Sequence, residues 1–132
     1  MPLVTSKELL EKAMREKYAV GAFNANNIEM VQAIVEAAEE ENAPVILQAS
    51  QGAIKYAGLE NIAAIVKNAA AMAKVPIALH LDHGTDYEQN VKCFRMGFTS
   101  LMFDGSKLPY EKNIAITRKI VEMGHAVGVP VE

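Results

Sequence analysis

Four short apolar runs, each closed by a polar residue, alternate with stretches of helical periodicity along this chain. Ala19–Asn24 is the first and weakest run, followed by Pro44–Ser50, Pro76–His83 and the shorter Thr99–Asp104. Brief Val/Ile/Leu-rich runs bounded by breakers are how buried parallel strands read. Their polar ends, Asn24, Ser50, Asp82 and Asp104, stand 26, 32 and 22 residues apart. Each interval holds one strand and one helix, the crossover that a parallel pair requires. With right-handed crossovers, the order β-α-β-α-β-α-β-α gives an α/β fold, a parallel sheet covered by helices.

The intervening helices are amphipathic. Val31, Ile34, Val35 and Ala38 fall at i, i+3, i+4 and i+7; Leu59, Ile62, Val66, Ala69 and Ala73 form a second stripe, and Ile116, Ile120 and Met123 a third. Asn26 or Asn27 and Asp86 suit N-caps, and Pro109 suits a first helical turn. Ser6–Lys17 reads as an extra helix ahead of the first strand, and Val127–Glu132 as a fifth strand just beginning. No linker, repeat or low-complexity segment interrupts residues 1–132, which are expected to form one unit. An eight-fold barrel takes roughly 250 residues, so two architectures stay open: a compact doubly wound sheet, or the first half of a barrel.

Composition narrows the function. The formal charge is −3 with no basic run, which argues against nucleic acid and against a polybasic membrane patch. No stretch of eighteen apolar residues exists, so no membrane span is expected. The opening segment Met1–Glu8 lacks the pattern of a secretory leader, and a cytoplasmic location is the expectation. The one cysteine, Cys93, excludes an intramolecular disulfide framework and a cysteine zinc cluster.

In either architecture ligands meet the sheet at the carboxyl ends of its strands. There His80-Leu81-Asp82-His83-Gly84 closes an apolar strand with three ionisable residues in four positions. Alternation puts His80 and Asp82 on one face, with His83 at the tip where the chain turns at Gly84. A tip histidine offers a neutral imidazole to a metal, and an adjacent carboxylate can move a proton. The plainer readings are a hydrogen-bonded His–Asp pair, a core role for His80, and a mere turn at Asp104-Gly105-Ser106. His125 follows the last helix and is expected at the opposite end of the sheet, so three histidines do not make one zinc site. Cys93, the seven methionines and the four phenylalanines read as core filling, Glu39-Glu40-Glu41 as a solvated helix end, and Lys107 as a surface lysine.

Four segments together resemble the class II, zinc-dependent fructose-bisphosphate aldolases, including the tagatose-bisphosphate aldolases. They are Tyr18–Asn24 (YAVGAFN), Pro44–Ser50 (PVILQAS), Ala78–Gly84 (ALHLDHG) and Ser100–Ser106 (SLMFDGS), and the last two are the specific ones. The resemblance runs along the chain but covers only the amino-terminal half of such a protein, implying the first half of a TIM (β/α)8 barrel that ends at the start of its fifth strand.

The resemblance further implies roles. His83 corresponds to one of three histidines that hold the catalytic zinc, and Asp82 to the acid/base that exchanges a proton with the C4 hydroxyl. Asp104 corresponds to a carboxylate near an alternative or second metal position, and Asn24 and Ser50 to substrate contacts. Glu132 matches the first glutamate of a Val-Glu-x-Glu-Leu-Gly segment. The implied reaction converts a ketohexose 1,6-bisphosphate, fructose 1,6-bisphosphate foremost, into dihydroxyacetone phosphate and glyceraldehyde 3-phosphate, with Zn2+ or another divalent metal as cofactor. The other two zinc histidines and the phosphate loops fall in the family's second half. The chain alone is therefore expected to be inactive, its partners being a phosphorylated sugar and either a complementing carboxyl-terminal half or further copies of itself. A different reading is a non-catalytic half-barrel that pairs through its open sheet edges.

Overall fold

The computed structural model describes residues 3–132; Met1 and Pro2, the start of the segment read for a leader, lie outside the described residues. The elements run α1 (Ser6–Glu16), β1 (Gly21–Asn24), α2 (Ile28–Glu40), β2 (Val45–Ser50), α3 (Gln51–Ala57), α4 (Leu59–Met72), β3 (Ile77–Asp82), α5 (Tyr87–Arg95) and α6 (Tyr110–His125). The three strands pair in parallel in the order β1-β2-β3.

Local chemistry sets the helix starts. Thr5 and Glu8 form a capping box at α1, and Asn27 and Asp86 accept main-chain N–H groups at the starts of α2 and α5. Pro109 precedes α6 as its cap residue, without a side-chain cap bond. One helix was not anticipated. The Ser50 hydroxyl accepts the Ala53 N–H and starts α3 directly at the end of β2. Gly58, at φ +88°, then ends α3 and opens α4.

The sheet has two unlike faces. Val45, Leu47 and Ala49 of β2 and Ile77, Leu79 and Leu81 of β3 join Val31, Ile62 and Val66 from α2 and α4 in the main core. The even-numbered residues face the other way. Near the strand starts Ile46 and Ala78 pack on Leu9 of α1 in a smaller apolar cluster. Both faces of the strands are thus covered at their amino ends, which explains runs without polar alternation there. Towards the carboxyl ends the even face turns polar, and α1 stands off from it across a cavity.

The run Thr99–Asp104 departs from the expected fourth strand. It lies parallel beside β3 through a single bridge, His80 to Ser100, and meets the chain's last residues through another, Leu101 to Val131. Where a ladder would start, the Leu79 carbonyl takes both the Thr99 and Ser100 N–H groups, and the Leu79 N–H goes to the Thr99 hydroxyl. A side chain has replaced a ladder bond, and the extra residue breaks the regular pairing. On the far side, Leu101 N–H to Pro130 O and Glu132 N–H to Leu101 O keep the expected fifth run in parallel register.

Candidate active site

Strand register builds the site in rows. Asn24, Gln48 and His80 stand abreast on β1, β2 and β3, and Ser50 stands opposite Asp82 one step further on. Gln48 holds these rows together. Its side-chain amide donates to Asn24 Oδ1 at 3.1 Å and to Asp82 Oδ2 at 3.2 Å. Sequence reasoning missed Gln48, although its place two residues before Ser50 in a run otherwise apolar was the available signal. Ser50 is half-buried and its oxygen already accepts from Ala53, so its hydroxyl proton is what remains to offer.

His80 lies under this surface, 6% exposed. Its Nδ1 and the Ser100 hydroxyl share a 2.7 Å hydrogen bond, and Ser6 of α1 donates to Ser100 at 2.7 Å. Its Nε2 is 3.5 Å from Glu132 Oε2. Burial pushes the imidazole pKa below its ordinary value, against the opposing pull of Glu132 and Asp82. A neutral, buried imidazole fits the core role expected of His80.

His83 stands at the tip of β3 with φ +50°. A left-handed backbone on a residue with a Cβ costs roughly 1–2 kcal/mol, and here several bonds hold it. Nδ1 donates to Asp104 Oδ2 at 2.8 Å, and the main-chain N–H reaches Met102 Sδ at 3.2 Å. The Asp104 N–H donates to Gly84 O at 2.7 Å. Gly84 itself admits no side chain, since a Cβ there would sit 2.5 Å from Met102 O. Hydrogen bonding to Asp104 and the nearby Asp82 charge raise the His83 pKa. Hydrogen bonds from Ser106 and then from His83 hold the Asp104 carboxyl far below the usual carboxylate range.

The arrangement has a definite metal-binding capacity. With Nδ1 committed to a carboxylate, His83 presents Nε2 as its free lone pair, the second-sphere pattern that orients a ligand histidine. Asp82 Oδ1 is 3.8 Å from that nitrogen. Asp104 is occupied by His83 and by the Ser106 N–H. Among the described residues no group of three His, Cys, Asp or Glu side chains converges on one point. The donor set therefore fits one imidazole ligand of a metal shell, with carboxylates beside it, and not a closed shell.

A cavity of about 610 Å³ opens between α1 and the polar end of the sheet, lined by Lys7, Glu11 and Met14 on one side and Gln48, His80 and Asp82 on the other. His125 ends α6, exposed, where the chain re-enters the sheet at its amino end. Cys93 is fully buried, as expected. Glu39 is less idle than a solvated helix end, because its carboxylate accepts the Lys74 N–H ahead of β3.

A parallel α/β sheet with histidine and carboxylates gathered at its strand ends is the arrangement of a (β/α) barrel scaffold, here with three strands in regular ladders among the described residues. Residues 4–132 match the fructose-bisphosphate aldolase class-II family, and the chain belongs to that family. It is 53% identical over 130 residues to the fructose-bisphosphate aldolase of Thermus caldophilus, covering 98% of this chain and 42% of that protein. It is 49% identical over 135 residues to the fructose-bisphosphate aldolase of Geobacillus stearothermophilus, covering 100% of this chain and 47% of that one. The crystal structure of the YdjI aldolase from Escherichia coli K12 superposes with a TM-score of 0.93 at 32% identity, over 98% of this chain and 50% of that chain. The chain thus spans about half the length of the curated relatives it matches, and its architecture is the amino-terminal half of a TIM barrel. Among the described residues no helix is long and apolar enough to cross a membrane.

Proposed function

We propose that this chain supplies the amino-terminal half of an aldolase active site acting on a ketohexose 1,6-bisphosphate, fructose 1,6-bisphosphate foremost, with residues 1–132 as a single partial barrel domain. The observation that carries the reading is the meeting of Gln48, Asp82, His83 and Asp104 at neighbouring strand ends. In this reading His83 Nε2 is one ligand of a zinc or other divalent ion, and Asp104 fixes its tautomer. Asp104 keeps a lone pair on each oxygen beside its bonds to His83 and Ser106, so it can also serve a second metal position. A zinc ion bound there supplies polarisation of the substrate carbonyl. Asp82 holds the proton exchanged with the C4 hydroxyl, at the oxygen that Gln48 leaves free. Gln48 keeps that carboxylate aimed, while Asn24 and the Ser50 hydroxyl hold the sugar chain.

The remaining ligands and the phosphate sites are assigned to a complementing carboxyl-terminal half. Mixing this chain with the carboxyl-terminal half of a related aldolase, with zinc, should yield cleavage of fructose 1,6-bisphosphate in a triose phosphate assay. The chain alone should give none. Asp82→Asn should lower the activity of the mixture by about a hundredfold or more. Full activity of that variant would refute the role of Asp82, and turnover by the unmixed chain would refute the half-site.

The alternative, a non-catalytic module that pairs with its own copies, draws on the open edge at β1, where Ala22, Phe23 and Asn24 are all exposed. A monomer by light scattering at high concentration would count against it. The cytoplasm is the compartment we propose.

A further inference from the structure

Among the described residues three non-glycine residues adopt positive φ: Lys17, Asn42 and His83. Lys17 and Asn42 end helices, where a left-handed residue is routine and its N–H returns to a carbonyl of the last turn. His83 ends a strand and has no helix to close. Its N–H would ordinarily go to a main-chain carbonyl of the neighbouring run, but that oxygen, Met102 O, lies beside Gly84, 2.5 Å from where a Cβ on that residue would stand. The group that receives the His83 N–H is the Met102 thioether, at 3.2 Å. Met102 is half-buried, on the same run as Asp104, which grips the His83 ring from the other side.

We propose that Met102 is a positioning residue: its sulfur accepts the His83 N–H and keeps that residue in the left-handed conformation that aims Nδ1 at Asp104 and Nε2 outward. Leucine would fill the same space without an acceptor, whereas the unbranched thioether both reaches and accepts. The consequence for metal binding rests on the reading of His83 as a ligand; the backbone role does not.

The test uses the metal-free chain, with long-range 1H–15N spectra of the His83 ring at a pH where it is neutral. The unsubstituted chain should show the Nδ1–H tautomer. Met102→Leu should lose that signature and shift the His83 amide, and Met102→Gln, whose carbonyl oxygen can accept, should restore it. An unchanged ring and amide in Met102→Leu would overturn the proposal, as would equal loss in both variants. Should neither variant fold, amide exchange in the unsubstituted chain decides. The His83 N–H should exchange at least about tenfold slower than an unstructured amide, and an unprotected one would overturn the assignment. Titration with Co2+ alone separates the two layers. Broadening centred on His83 that weakens about tenfold in Met102→Leu extends the role to the metal. No broadening at His83 in the unsubstituted chain would sink the ligand reading, leaving Met102 to be judged on the ring spectra.

Discussion

Replacing Gly84 with alanine places a methyl group where three neighbours already stand. The new Cβ would lie 2.5 Å from Met102 O, 2.7 Å from Leu81 Cδ2 and 2.9 Å from Asn90 Nδ2. Two of these are side chains, but the nearest is main chain and cannot swing aside. Ordinary contact begins near 3.4 Å, so the strand end and the Met102 segment must separate by about 0.9 Å. Overpacking of this kind costs about 1–3 kcal/mol. The Asp104 N–H to Gly84 O bond, 2.7 Å long, spans the same gap, and losing it adds about 1 kcal/mol. A total near 2–4 kcal/mol corresponds to a fall in Tm of about 10 °C for a chain of this size. Gly52→Ala is the internal control. Gly52 is exposed within α3, and its nearest neighbour to a new Cβ is Ser50 Oγ at 3.6 Å. That change should raise stability by about 0.5–1 kcal/mol, because alanine loses less backbone entropy in a helix. Urea denaturation of the three proteins, followed by circular dichroism, gives both numbers. A Gly84→Ala protein as stable as the parent, with His83 resonances unmoved, would refute the close packing under the strand tip.

Further outcomes follow from the charges and the core. Asp104→Asn should lower the His83 titration midpoint, since the carboxylate is the chief cause of its raised pKa, and an NMR pH titration measures it. His80 has a pKa depressed by burial, so the unfolded chain takes up a proton before the folded one as pH falls. Its contribution is complete above about pH 6.5 and is lost as pH falls through the depressed folded value. The drop in urea midpoint from about pH 7.5 to about pH 5 should be smaller in His80→Asn, provided that variant folds. Burial raises the Cys93 thiol from 9.0 to about 11, which cuts its thiolate at about pH 8 by about a hundredfold. A thiol reagent should therefore label the chain quickly in guanidinium and barely at all when folded, and rapid labelling of folded protein would contradict the packing around α5.

The alternation of strands and helices, the cap at Asp86 and the shared face of His80 and Asp82 were legible because each depends on neighbours close in sequence. Periodicity and capping act over a few residues, and the buried strands carry apolar runs that nothing else in the chain mimics. The short helix α3 escaped because Gly52 dilutes its propensity and the Ser50 cap serves as the strand's last residue as well. The composition of the fourth, shorter run predicts a strand, but the Thr99 hydroxyl competes for a ladder bond, a choice that composition does not reveal. Gln48 was hidden by the apolar run around it. The bonds from His83 to Asp104 and Met102 span 21 and 19 residues, and only folding brings those side chains together.

The alternation of the two sheet faces has a consequence for assembly of the fold itself. A slip of β3 by one residue against β2 would turn Leu79 and Leu81 to the cavity and drive His80 and Asp82 into the apolar layer beneath α2 and α4. The Gln48 amide would then lose its carboxylate partner, and two ionisable groups would be stranded without water. His80 and Asp82 thus also police strand alignment. Their removal should be felt first as a loss of uniqueness in pairing, even where no substrate is present.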